Sequence, residues 1–81
     1  MKKSNNMFFN NLFSKGICLL TVYLSENKNT INNYDSSYKI VDNNTIRIKL
    51  SNFYEKLCFI VKLDNNTVIL CNMYNQPLKK L

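Results

Sequence analysis

Two stretches of similar design decide the fold: YKIVDNNTIRIKL at residues 38–50 and FIVKLDNNTVILCNMY at residues 59–74. Each consists of an apolar run, an Asp-Asn-Asn-Thr turn and a second apolar run. Because Asn and Asp tolerate the left-handed backbone of tight turns, both stretches predict β-hairpins. The predicted strands are 38–42, 45–50, 57–63 and 67–74.

The apolar side chains predict the register of each hairpin. In the second, a two-residue loop at 65–66 places Leu63 opposite Val68 and Val61 opposite Leu70, so that all four share one face.

In the first hairpin the same loop pairs Ile40 with Arg47, which is unfavourable. A three-residue loop pairs Ile40 with Ile48 and Tyr38 with Leu50, and it restores an apolar face. We therefore expect the two loops to differ by one residue.

The segments before the hairpins complete the predicted architecture. The apolar spacing of residues 4–15 is typical of an amphipathic helix, and Gly16 stands where a helix C-terminus is expected. The continuous run ICLLTVYL at 17–24 predicts a strand buried on both faces. The polar residues 25–37 predict a long loop, and the tail after Pro77 is expected to be loose.

Together these elements predict a single small domain over residues 1–81. Its class is α+β, mostly β: a short N-terminal helix packed on an antiparallel sheet of about five strands, built from two hairpins. Met7, Phe8 and Leu12 are the expected apolar cover of the sheet.

The composition indicates a basic protein from a very AT-rich genome. The chain has fifteen Asn and ten Lys but one Arg, one Gly, one Pro and no Ala, and its net charge is +6 with a pI near 9.4. A positive protein of this size favours acidic protein surfaces or nucleic acids. With Arg47 as its only arginine, the chain is poorly equipped for sequence-specific DNA recognition.

The residue types argue against catalysis and against a metal or other cofactor. There is no His to act as a general base, and the three Cys lack metal-ligand spacing. The spacing of Glu26 and Lys28 is that of metal-dependent nucleases, but no acidic residue precedes it to complete a metal pair. We therefore expect a protein that is not an enzyme and has no cofactor.

A cluster of cations gives the best candidate for a binding site. In the predicted register Lys39 lies opposite Lys49 with Arg47 beside them, and facing like charges favour an anionic partner. The alternative interpretation is an ordinary solvated face whose lysines prevent edge aggregation. Tyr34 and Tyr54 are expected at the rim of the site, because Tyr is enriched in interfaces.

These features lead to three functional hypotheses. The first is a virus- or mobile-element-encoded, anti-CRISPR-like inhibitor that binds stoichiometrically to an acidic or phosphate-lined surface of a host nucleic-acid-handling or defence complex. The second is an RNA-binding subunit of a ribonucleoprotein such as an organellar ribosome. The third is a secreted effector.

The expected location is the host cytoplasm, without membrane association. The apolar run 17–24 is shorter than the roughly 20 residues that span a bilayer. Secretion is the alternative, because Lys2 and Lys3 precede an apolar run as in signal peptides, although no small-residue cleavage site follows Leu24.

Overall fold

A computed structural model describes residues 2–81, with side chains from Asn10 onward. The described elements are α1 (Lys2–Glu26), a 3-10 turn (Ile31–Asn33), β1 (Asp35–Asp42), β2 (Thr45–Ser51), β3 (Lys56–Asp64), β4 (Thr67–Asn72) and β5 (Pro77–Lys80). The strands form one antiparallel sheet in chain order, and α1 packs on one of its faces. The predicted class, one helix on a five-stranded antiparallel sheet, is confirmed.

The segment 17–24 belongs to α1, so its prediction as a strand is wrong. Gly16 likewise lies inside the helix and does not end it. A short apolar run fits a buried helix as well as a buried strand. The four-residue repeat of Leu12, Gly16, Leu20 and Leu24, all buried, carries the helical pattern across the glycine.

A Schellman motif ends α1 after Glu26. The amide of Asn29 donates to the Leu24 carbonyl at 2.9 Å, the amide of Lys28 donates to the Ser25 carbonyl at 3.0 Å, and Lys28 has a φ of 59°. The connection to β1 is therefore 27–34, shorter than the predicted loop at 25–37.

The second hairpin has the predicted register. Leu63 pairs with Val68 and Val61 with Leu70. The asparagines of the 65–66 loop have φ values of 50° and 64°, as in a type I′ turn.

The first hairpin also has an apolar face, but its register differs from the predicted one. Ile40 pairs with Ile46 and not Ile48, and Tyr38 pairs with Ile48 and not Leu50. The register shifts between Ile40 and the turn, as in a β-bulge. The extra residue therefore lies in the bulge of β1, whereas the predicted register places it in the loop.

The edges of the sheet also depart from the prediction. β1 begins three residues earlier than expected, and all eight of its residues are exposed. The tail after Pro77 is a strand, since β5 pairs with β4 and the Leu81 amide donates to the Val68 carbonyl at 2.9 Å. Pro77 opens this edge strand, a position where a missing N–H is tolerated.

The core lies between α1 and the sheet. Its buried members are Leu12, Leu19, Leu20, Leu24, Tyr34, Ile46, Ile48, Leu50, Phe59, Val61, Val68 and Leu70. The predicted role of Leu12 as apolar cover is confirmed. The side chains of Met7 and Phe8 lie outside the part of the chain that the structure describes.

Candidate functional site

One face of the sheet is covered by α1, and the opposite face, called the open face here, is basic. Side chains alternate along a strand and cross-strand partners share a face. Because Ile46, Ile48 and Leu50 point into the core, Arg47 and Lys49 point to the open face. The same alternation through the pairing of all five strands defines the basic face as Lys39, Arg47, Lys49, Lys56, Lys62 and Lys80.

The three predicted cations are neighbours on this face, in a different pairing from the one expected. Lys39 lies opposite Arg47, and Lys49 lies opposite Ser37. The expectation that Lys39 faces Lys49 is wrong because the bulge in β1 shifts the register. All three cations line a depression of about 150 Å³, together with Ser37 and Tyr38.

Within residues 10–81, no cation of the basic face lies within 4.0 Å of a carboxylate oxygen. Among residues 10–81 the ion pair closer than 4.0 Å is Lys79 with Glu26, at 2.9 Å on the helix side. Facing like charges without a counterion destabilise a strand pair. The same strand pairing places Asp35, Asp42 and Asp64 on the open face as well, so six cations share it with three carboxylates and a net positive charge remains.

Aliphatic side chains lie at the centre of the basic face. Ile60 pairs with Arg47 on one side and with Cys71 on the other, and Lys62 pairs with Ile69. Burial raises the pKa of the Cys71 thiol, and the positive charge of Lys62 acts in the opposite direction. The face thus has an apolar centre with a charged and mainly cationic border.

Tyr34 does not lie at the rim of the basic face as predicted. It is 9% exposed and packs in the core on the helix side. Its hydroxyl donates to Glu55 Oε2 at 2.6 Å and accepts from Asn29 Nδ2 at 2.5 Å. The hydrogen bond to Glu55, burial and the negative charge of that carboxylate raise the pKa of Tyr34, and the bond from Asn29 opposes this. Tyr34 therefore ties the loop before β1 to the turn before β3.

Tyr54 is 88% exposed in the turn between β2 and β3, where its ring meets Phe53 edge-on at 5.5 Å. This turn is organised by Asn52, whose Oδ1 accepts from the amides of Tyr54 and Glu55 at 2.8 and 2.9 Å. Tyr54 is accessible to a partner, but it stands at one end of the sheet and not within the cation cluster.

Lys56, Lys62 and Lys80 were missed by the sequence analysis. The sequence does contain a pattern that places Lys56 and Lys62 on the open face, because in β3 they alternate with the buried Phe59 and Val61. Lys80 had no such signal, since it belongs to a strand that was not predicted.

Comparison of the chain with protein-family models, with curated proteins and with solved structures finds no match. Within the described residues, no three His, Cys, Asp or Glu side chains are grouped so as to hold a metal ion. No helix in the described part of the chain combines the length and the apolarity needed to cross a membrane.

Proposed function

We propose that this chain is a non-enzymatic binding protein that docks its basic face stoichiometrically on an acidic protein surface. The observation that carries the proposal is the combination of Lys39, Arg47 and Lys49, which have no carboxylate within 4.0 Å among residues 10–81, beside the aliphatic Ile60 and Ile69. Protein interfaces commonly have an apolar centre and a polar rim.

The same arrangement favours a protein partner over single-stranded nucleic acid. Proteins that bind single strands on a sheet stack bases on aromatic side chains. The centre of the open face consists of aliphatic side chains and thiols, from Cys58, Ile60, Ile69 and Cys71. Tyr38 borders the cation depression, but it pairs with the core residue Ile48 and its ring lies against Phe13 on the helix side.

The biological role that fits this binding is inhibition of a host nucleic-acid-handling or defence complex by an accessory protein of a virus or mobile element. Complementary charge on two protein surfaces speeds and specifies their association, so a basic face suits an acidic surface of such a complex. The small size and the AT-rich composition support the same role.

The test compares two triple variants that lose the same charge. One is Lys39→Ala, Arg47→Ala and Lys49→Ala, and the control is Lys15→Ala, Lys28→Ala and Lys79→Ala, which spares the basic face. Immobilised wild type and both variants are exposed to nuclease-treated extract of the native host. A captured protein is then purified and titrated against each by calorimetry.

We expect a defined stoichiometry with wild type and control, and an affinity at least about tenfold weaker with the basic-face variant, equivalent to about 1.4 kcal/mol. The two variants should unfold within about 0.5 kcal/mol of each other, as surface substitutions usually do. Equal binding by all three proteins would refute the proposal. Tight binding of a short RNA with a steep salt dependence would instead support the ribonucleoprotein hypothesis.

A further inference from the structure

The sheet has an open notch between the start of β3 and the turn from β4 to β5. Phe59 and Asn72 form the last pair of these two strands, so residues 56–58 pair with β2 alone. Asn72 ends β4 because its Oδ1 accepts from the amides of Tyr74 and Gln76, at 2.9 and 3.0 Å. The turn therefore bends away from β3 and leaves the notch open.

Backbone polar groups of β3 point into the notch. The Leu63 amide donates to the carbonyl of Asn44, which directly precedes β2, and this fixes the alternation along β3. The N–H and C=O groups of Leu57 consequently point to β2, while the C=O of Lys56 and the N–H of Cys58 point away from it. One residue of an added extended chain would pair with both groups: its N–H would donate to the Lys56 carbonyl, and its C=O would accept from the Cys58 amide.

The notch opens to both faces of the sheet, and the two sides differ in chemistry. On the helix side a cavity of about 430 Å³ is lined mainly by apolar and aromatic side chains, including Tyr23, Leu57, Phe59 and Leu78. This is a volume typical of ligand pockets. Glu55 also lines it, but its carboxylate already accepts the Tyr34 hydroxyl.

On the open side a cavity of about 440 Å³ includes Lys49, Lys56, Ser37 and Ser51 in its lining. Neither lysine has a carboxylate within 4.0 Å among the described residues. Met73 lines both cavities and is 57% exposed, and the neighbouring Tyr74 is 75% exposed. A chain lying in the notch would cover these side chains.

We propose that the notch binds an extended peptide segment of a partner protein, in which a large apolar residue is flanked by acidic residues. The apolar residue pairs with the Lys56 carbonyl and the Cys58 amide, and its side chain enters the helix-side cavity. Because side chains alternate in an extended chain, the acidic neighbours point to the open side, toward Lys49 and Lys56. This inference does not depend on the proposed function of the basic face.

The experiment uses the full chain labelled with ¹⁵N and a blocked hexapeptide of alternating glutamate and phenylalanine. Two control peptides replace glutamate with lysine or carry N-methyl groups on the phenylalanine amides. Lys56→Glu is compared with Lys80→Glu, a matched charge reversal on the open face at the far edge of the sheet. Binding is followed through the amide signals of Cys58 and Met73.

The glutamate peptide should shift both signals saturably, and the two control peptides should not. Lys56→Glu should weaken the affinity at least about tenfold, whereas Lys80→Glu should change it little. No saturable shift, equal binding of the N-methylated peptide, or the same shifts produced by self-association of the free protein would each overturn the inference. A failure here leaves the proposed function of the basic face standing, because of the three cations tested there Lys49 alone lines the notch, whereas Lys39 and Arg47 lie outside its lining.

Discussion

The backbone of Gly16 in α1 lies against the side chain of Val61 in β3, so closely that a Cβ at position 16 would come within 2.7 Å of Val61 Cγ1. Val61 is fully buried, and a β-branched side chain has little freedom to move aside. The glycine therefore sets how near the helix can approach the sheet.

Gly16→Ala is expected to destabilise the protein although alanine favours helices. The gain in helix propensity is about 1 kcal/mol, and overpacking a core costs about 1–3 kcal/mol. We expect a net loss of about 1 kcal/mol in the free energy of unfolding by urea. The double variant Gly16→Ala, Val61→Ala should lose less stability than the sum of the losses in the two single variants. The coupling free energy between the two positions should be about 0.5–3 kcal/mol. A Gly16→Ala protein more stable than wild type would contradict this packing.

Lys28→Gly is expected to stabilise the protein. Lys28 has a φ of 59° at the C-terminus of α1, where glycine is the usual residue because a side chain is strained there. We expect a gain of about 0.5–1 kcal/mol in the free energy of unfolding. Lys15→Gly removes the same charge from an exposed position inside α1 and should cost about 1 kcal/mol. A loss of stability in both variants would show that position 28 gains nothing from glycine.

The two positions explain why the helix was misjudged from sequence. Gly16 resembles a helix stop, but in the structure it allows the close contact with Val61, a residue 45 positions away that no local pattern reveals. The actual stop is at Lys28, which carries no sequence signal for a left-handed conformation. At Gly16 tertiary packing overrides local propensity, whereas the stop at Lys28 is a local hydrogen-bonded motif without the usual glycine.

The hairpins were more predictable because their information is local. The 65–66 loop fixed the register of the second hairpin through turn geometry and apolar alternation, and both are visible in the sequence. In the first hairpin the bulge after Ile40 moved the partner of Lys39 from Lys49 to Arg47. Lys39, Arg47 and Lys49 remain neighbours despite this shift, because Lys49 and Arg47 lie on the same face of β2.

The three cysteines should differ in their reactivity toward iodoacetamide. Cys18 is exposed on α1, Cys58 is half-buried and Cys71 is buried with a raised thiol pKa. Since the thiolate is the reactive form, alkylation should be fastest at Cys18 and slowest at Cys71. Lys62→Ala removes the charge that opposes the rise in pKa, so it should slow Cys71 further. Peptide mapping by mass spectrometry measures each rate, and equal rates at Cys18 and Cys71 would be inconsistent with the fold.

The hydrogen bond from Tyr34 to Glu55 should make stability depend on pH in the alkaline range. The pKa of Tyr34 is raised above its ordinary value of 10.0, so the folded protein holds this proton more tightly than the unfolded chain does. The stabilisation is fully present below pH 10.0 and is lost as the pH rises through the folded-state pKa. Tyr34→Phe removes both the bond and its titration. The stability difference between wild type and Tyr34→Phe should therefore be largest near neutrality and shrink above pH 10.0.

Urea unfolding of both proteins over this pH range measures the difference, and the other tyrosines and the lysines cancel because both proteins contain them. Tyr54→Phe is the matched control, since Tyr54 is 88% exposed and its ring meets the neighbouring Phe53 edge-on. It should unfold like wild type at every pH. A difference between wild type and Tyr34→Phe that stays constant across the alkaline range would mean that Tyr34 acts through packing alone, without the Glu55 hydrogen bond.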